Sequence, residues 1–348
     1  MLIMELSMQW DHRMRHRLKL RYLDTLLAVA QSKSMAKAAT QLSVSQPAVS
    51  KTIADLEQTL GVRLLDRTSQ GVEPTLYGRA LVKWSKAVFD DLRQSINEID
   101  YLSDPTRGEL RIGITEPMAA GLAGVVLDDL ARECPGIVFR VTQGDPITLE
   151  SRELRERNIE LMLGRIPRVD AGDDLNIEAL YDEQIFVCAG ANNPWLGRRK
   201  IKLSELVDEP WILPPLDASV GSLITESFRA EGLEVPQARI VSFSIQLQGT
   251  LLAGGRFLGI ASESMLRFGG ERLSLKKLPV GLRVRSMPLG IVTLKNRTLS
   301  PIAQLFMQRV REKTNALLPA SSRRRQKAQL AIAQDGIQSR CTRAAVRV

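Results

Sequence analysis

The chain has 348 residues, 44% of them hydrophobic, with 48 Lys+Arg against 39 Asp+Glu and a net charge of +9. This content can bury cores for two or three domains, which excludes a disordered chain, and no apolar run approaches the ~20 residues that a membrane helix needs. The excess charge lies at the ends: residues 1–102 hold 14 basic and 11 acidic groups, residues 319–348 hold 7 and 1, and the 216 residues between hold 27 of each.

A polyanion would therefore be met by the terminal segments, leaving the neutral middle for another task. Residues 1–17 form a basic extension with four methionines, Met1, Met4, Met8 and Met14, each a candidate start. Arg13, Arg15, Arg17, Lys19 and Arg21 make it either a solvated extension or an arm touching phosphates. It lacks the uninterrupted apolar core of a signal peptide, so a cytoplasmic protein is expected. It also holds both histidines, His12 and His16. That removes histidine bases, triads and histidine-ligated metals from the predicted folded region, and argues against an enzyme.

The first predicted helix covers 18–32, with Leu23, Leu26, Leu27 and Ala30 at helical spacing. Residues 34–60 then read as a helix-turn-helix. Ala38 and Ala39 let two helices approach closely, Leu42 and Val44 plug the turn, and Ser45 caps a second helix with Pro47 in its first turn. In that helix Val49, Ile53, Leu56 and Leu60 share one side, leaving Gln46, Ser50, Lys51 and Ala54 pointing elsewhere. A narrow polar face of this kind suits a major groove about 12 Å wide. An ordinary amphipathic hairpin has the same pattern; the basic ends of the chain favour the DNA reading.

Residues 61–75 predict two short extended pieces around a Ser-Gln-Gly turn, a wing whose Arg63, Arg67 and Thr68 would face a minor groove or backbone phosphates. Thr75 caps a long helix to about residue 102, in which Leu81, Trp84, Val88, Leu92, Ile96, Ile99 and Leu102 recur every three or four residues. Roughly 40 Å of helix exceeds what one small domain needs. Its stripe asks for a second copy of the same helix.

From residue 103 onward strands and helices alternate. Strands are predicted at 109–114, 137–142 and 159–163, with helices at 119–133 and 149–157. A second set runs from about residue 181 to 285, with strands at 185–189, 211–213, 240–243 and 257–261 and helices at 222–230 and 246–253. A strand at 289–294 and a helix at 301–318 follow. Two α/β lobes joined at crossovers make a cleft. Cys134, Cys188 and Cys341 form no CxxC and no metal-ligand spacing, so neither a metal nor a cofactor is implied.

Four stretches, Ser34-Met-Ala-Lys-Ala-Ala39, Ser43-Val-Ser-Gln-Pro-Ala-Val-Ser-Lys-Thr-Ile53, Leu56-Glu-Gln-Thr-Leu-Gly-Val-Arg-Leu-Leu-Asp-Arg67 and Pro74-Thr-Leu-Tyr-Gly78, together resemble the signature of LysR-type transcriptional regulators. The resemblance is specific over about residues 18–79, and the order of elements to about 318 fits the family's effector domain. It implies a winged helix-turn-helix over 18–75, a linker and dimerisation helix over 76–103, and a two-lobed α/β effector domain, periplasmic-binding-protein-like of type 2, over 108–318. Lobe I would be 108–164 with 287–318, and lobe II 165–286. The basic tail over 319–348, with Arg323, Arg324 and Arg325, has no counterpart in the family and is expected to be disordered.

The resemblance further implies a homodimer or homotetramer that bends double-stranded promoter DNA, answers to a small-molecule inducer and touches RNA polymerase. By position, Ser45, Gln46, Pro47, Ser50 and Lys51 fall on its recognition helix and Arg67 on its wing, with Ser34 and Thr68 beside them. Leu81, Trp84, Val88, Leu92 and Ile96 fall on the dimerisation seam, and Thr115 takes the place of the Ser/Thr that follows the first effector strand.

The residues themselves put the cleft at Thr115 and Met118, where a strand runs into a helix N-terminus that attracts an anion, and at Gln143. Ser242, Ser244 and Ile245 mirror this in the second lobe. Arg165 is expected at the crossover, either pairing with a carboxylate on the inducer or making a hinge salt bridge to Glu160 or Asp170. Two rival readings remain. A redox regulator would switch through Cys134 and Cys188, although these fall in different lobes. A solute-binding protein or enzyme on the same two-lobed fold leaves the first 102 residues unexplained.

Overall fold

The computed structural model describes residues 18–68, 71–166, 173–283 and 287–315. The basic extension, the basic tail and Asp170 lie outside the described residues. The chain divides into two compact units, and the division falls within one helix, between Ile96 and Asn97.

The first unit comprises α1 (Leu20–Ser32), α2 (Met35–Gln41), α3 (Gln46–Leu60), β1 (Leu65–Thr68), β2 (Gly71–Pro74) and most of α4 (Leu76–Ser103). Ser34 accepts the Lys37 N–H and caps α2, and Ser45 accepts the Ala48 N–H and caps α3, with Pro47 in the first turn. Gly61 ends α3 at φ 71°, a left-handed conformation that a side chain would disfavour. Leu26, Val29, Ala38, Ala39, Val49, Ile53 and Leu56 pack with Leu64, Leu65 and Val72 of the wing.

Val44 does not plug the turn: it is 48% exposed. The backbone holds the turn instead, with Ser43 at φ 55° and the Val44 N–H donated to the Ala39 carbonyl at 3.0 Å. The Pro74 to Gly78 motif also acquires a physical account. Thr75 donates its hydroxyl to the Arg63 carbonyl at 2.8 Å and accepts the Gly78 N–H at 3.0 Å, tying the start of α4 to the wing. A Cβ at Gly78 would collide with the Leu64 carbonyl oxygen, so α4 begins this close only with glycine there.

Along α4 the usual logic of an amphipathic helix is reversed. Ser85, Asp90 and Gln94 are buried, whereas Trp84 is 67% exposed and Val88, Leu92, Ile96, Ile99 and Leu102 are exposed with it. Leu81 departs from the expected seam, packing partly on the core of the first unit.

The second unit continues with β3 (Arg107–Ile114), α5 (Glu116–Ala120), α6 (Leu122–Glu133), β4 (Gly136–Gln143), β5 (Leu161–Arg165) and β6 (Leu175–Glu183). Then come β7 (Ile185–Gly190), β8 (Ile212–Leu213), α7 (Ser219–Ala230), β9 (Ile240–Val241), α8 (Ile245–Ala253), β10 (Leu258–Ser262), α9 (Glu263–Gly269), β11 (Leu275–Lys277), β12 (Met287–Leu294) and α10 (Pro301–Asn315). Between β4 and β5, the helix expected at 149–157 is realised as a short turn Pro146–Thr148, capped by Asp145, and a π-helical turn Leu149–Leu154.

The lobe I sheet runs β4-β3-β5-β12-β6, with β3 parallel to β4 and β5, and β12 antiparallel to β5 and β6. This corrects the expected lobe boundary. Residues 175–183 were expected in lobe II, but β6 hydrogen-bonds to β12 and extends the lobe I sheet, so the chain crosses between Glu183 and Ile185. The lobe I core joins Leu110, Ile112 and Ile114 to Leu122, Val126, Leu130 and Phe306. In lobe II, β10-β7-β11 is antiparallel, and a Trp211–Leu258 bridge connects it to the parallel pair β8-β9. Trp211 is its anchor, packed edge-on against Phe228 at 5.9 Å with its indole N–H on the Leu206 carbonyl at 2.7 Å. Among the described residues no helix is long and apolar enough to cross a membrane.

Candidate DNA-reading face and effector cleft

Because Val49, Ile53 and Leu56 bury one side of α3, the orientation of its other side is fixed. Ser45, Gln46, Pro47 and Lys51 are exposed there and Ser50 is half-buried. The hydroxyls of Ser34 and Ser45 accept cap bonds, and each still has its proton to donate. On the wing, Arg67 stands opposite Val72 in the strand register and Thr68 donates its hydroxyl to the Gly71 carbonyl at 3.2 Å. The side chain of Arg67 lies outside the described residues.

Glu57 was not foreseen. Its carboxylate accepts the N–H groups of Leu64 at 2.7 Å and Leu65 at 3.2 Å, pinning the wing to α3. Only the turn at Gly61 brings these together, so spacing alone carried no signal.

In the second unit β3 and β4 end side by side, with Ile114 opposite Gln143, which puts Thr115 and Gln143 at one edge of lobe I. Thr115 is buried and leads into α5 without a side-chain cap bond, while Gln143 is exposed. Met118 corrects an expectation: it is 0% exposed within the lobe I core, because the first turn of α5 points it inward rather than toward a ligand.

From lobe II, Ser242 accepts the Ser244 N–H at 3.0 Å, and Ser244 caps α8 by accepting the Leu247 N–H at 3.2 Å. The Ile245 N–H crosses to lobe I, donating to Glu116 Oε1 at 2.7 Å. The structure therefore brings Ser242, Ser244 and Ile245 up to α5, which Thr115 precedes. Glu116 is the contact that the sequence did not single out.

Arg165 takes the hinge salt bridge that was one of its two expected roles, but with a different partner. It is 8% exposed, and its Nε donates to Glu183 Oε2 at 3.1 Å. Glu183 Oε1 also accepts the Tyr181 hydroxyl at 3.3 Å, the Ser264 N–H at 3.4 Å and the Ser264 hydroxyl. Burial, aided by the Glu183 charge, raises the Tyr181 phenol far above its ordinary range and keeps it a neutral donor. The guanidinium is thus paired at the crossover through Nε, while its Nη1 is buried without a hydrogen-bond partner among the described residues. Its partner is Glu183 because β5 and β6 flank β12, where Leu289 stands opposite both Arg165 and Tyr181. Glu160 instead accepts the Ser300 N–H at 3.2 Å.

Cys188 is fully enclosed, and burial pushes its thiol up to about 12, so it is not a thiolate at neutral pH. Cys134 follows α6 in the other lobe. This arrangement gives no support to a cysteine switch.

A winged helix-turn-helix followed by a two-lobed α/β domain defines a DNA-binding regulator with an effector domain. The chain belongs to the LysR family. Residues 20–79 match the family described as bacterial regulatory helix-turn-helix protein, lysR family, and residues 103–315 match the LysR substrate binding domain. It is similar to the HTH-type transcriptional regulator GbpR of Azospirillum brasilense, 31% identical over 296 residues that cover 85% of this chain and 86% of the relative. It is also similar to the regulator PcaQ of Agrobacterium fabrum, 27% identical over 301 residues, 86% of this chain and 96% of that one. Among solved structures, full-length CbnR complexed with its target DNA shares the fold, with a TM-score of 0.58 and 23% identity over 85% of this chain and 99% of that one.

Proposed function

We propose that the protein is a cytoplasmic regulator that reads promoter DNA as a dimer or tetramer and changes its hold on that DNA, and its contact with RNA polymerase, when a small molecule enters the effector cleft. The observation that carries this reading is the exposed polar end of α3, with Gln46 and Lys51 outward and Val49, Ile53 and Leu56 locked inward. Ser34, Ser45, Pro47, Ser50, Arg67 and Thr68 would complete the DNA side, and Thr115, Gln143, Ser242, Ser244 and Ile245 the cleft. The relatives' names as transcriptional regulators and the CbnR complex with DNA support it.

Selection from random duplexes by the full chain, followed by thermal-shift screening against metabolites, tests both halves. A two-fold-related sequence should be enriched. A true effector at about 100 times its Kd should stabilise the fold by about 2.7 kcal/mol. No enrichment overturns the DNA half, and no stabilising metabolite overturns the cleft half.

A further inference from the structure

We propose that Glu116 is the cleft's built-in anion, and that the effector is therefore an uncharged polar molecule rather than a carboxylate; this rests on reading the cleft as the effector site. Glu116 stands on α5 of lobe I and Ile245 opens α8 of lobe II, 129 positions later, yet the carboxylate accepts that N–H at 2.7 Å. The head of α8 is the positive end of a helix dipole, where free N–H groups favour an anion. Three of these donors are taken from within: the Ser244 N–H by Ser242, the Leu247 N–H by Ser244 and the Ile245 N–H by Glu116.

A ligand carboxylate would have to displace Glu116 or sit beside it. Two carboxylates sharing one donor repel, and one of them must protonate or leave. Arg165, the cation expected to compensate, has its charge balanced by Glu183 through Nε, although its Nη1 is buried without a hydrogen-bond partner among the described residues. Apart from that Nη1, the groups left for a ligand are neutral: the Gln246 N–H, the Ser242 and Ser244 hydroxyl protons, Thr115 and the Gln143 amide. The second Glu116 oxygen makes no hydrogen bond among the described residues and would accept one from a ligand hydroxyl. Such a set pairs with hydroxyls and carbonyls. Glu116 thus determines specificity by its charge, while also holding the two lobes together.

The test is chemical rescue of the full chain. Glu116→Ala should lower the thermal midpoint by about 2–4 °C. Acetate, at ionic strength balanced with chloride, should restore the midpoint saturably, acetamide should not, and the wild-type midpoint should respond to neither. Acetate moving both proteins alike, or moving neither, overturns the assignment. Should the alanine variant fail to fold, Glu116→Gln keeps an acceptor oxygen without the charge; amide exchange at Ile245 should then quicken, and unchanged exchange overturns the proposal. In the metabolite screen, a carboxylate that stabilises wild type and Glu116→Gln equally also overturns it. Failure of the rescue leaves the screen itself intact, so the cleft reading and this inference fail separately.

Discussion

Glu183 shows how much one carboxylate holds when it is buried with its partners. It joins Arg165 of β5, Tyr181 of its own strand and Ser264 of α9, and so links lobe I to lobe II at the crossover. Glu183→Ala would leave the Arg165 charge buried without compensation, which costs about 3–5 kcal/mol. Urea unfolding of the full chain should show this loss, and a change below about 1 kcal/mol, the size of an exposed pair, would mean that the cluster is not integral. Arg165 was legible in the sequence as an unusual cation near a crossover, but its partner was not, because Glu183 lies 18 positions away on a strand that the pattern hid. Met118 misled for a simpler reason. Adjacency to a helix N-terminus says nothing about which way the first turn points.

At the scale of elements, helical periods were legible and strand membership less so. The helix-turn-helix followed from Ser45, Pro47 and the Val49, Ile53, Leu56 spacing, and those residues now cap and bury α3 as the pattern required. β6 escaped because its burial does not alternate: Leu180 and Tyr181 are both buried around a bulge in its pairing with β12. The turn after Asp145 read as an α-helix because a π-helical turn leaves the same apolar residues. α4 is the element whose exposure demands most, since Trp84, Val88, Leu92 and Ile96 offer an apolar stripe to solvent. A second copy of the chain is the proposed cover, and Trp84→Asp would put a charge into that seam. Light scattering at micromolar concentration should then report the monomer mass with folded circular dichroism. A folded variant of unchanged mass would move the interface elsewhere.

Across the whole molecule, the family and both domains were readable from residue order, whereas the charge character of the effector cleft was not. Helix N-termini and Arg165 pointed to an anionic inducer, and only the fold reveals that Glu116 already accepts an N–H at one helix end and that Glu183 pairs with the guanidinium through Nε. The DNA face depends on no such long-range pairing, so its residues were accessible to sequence reasoning. Its role is the centre of the functional account. Fluorescence anisotropy on the selected duplex and on a scrambled one, at one fixed salt concentration, tests it most directly. Lys51→Ala should weaken both complexes if its ammonium meets phosphate, and should flatten the salt dependence by about one ion. Base-edge readout by Gln46 predicts that Gln46→Ala loses about 1–3 kcal/mol on the selected duplex and little on the scrambled one; equal losses on both would contradict it.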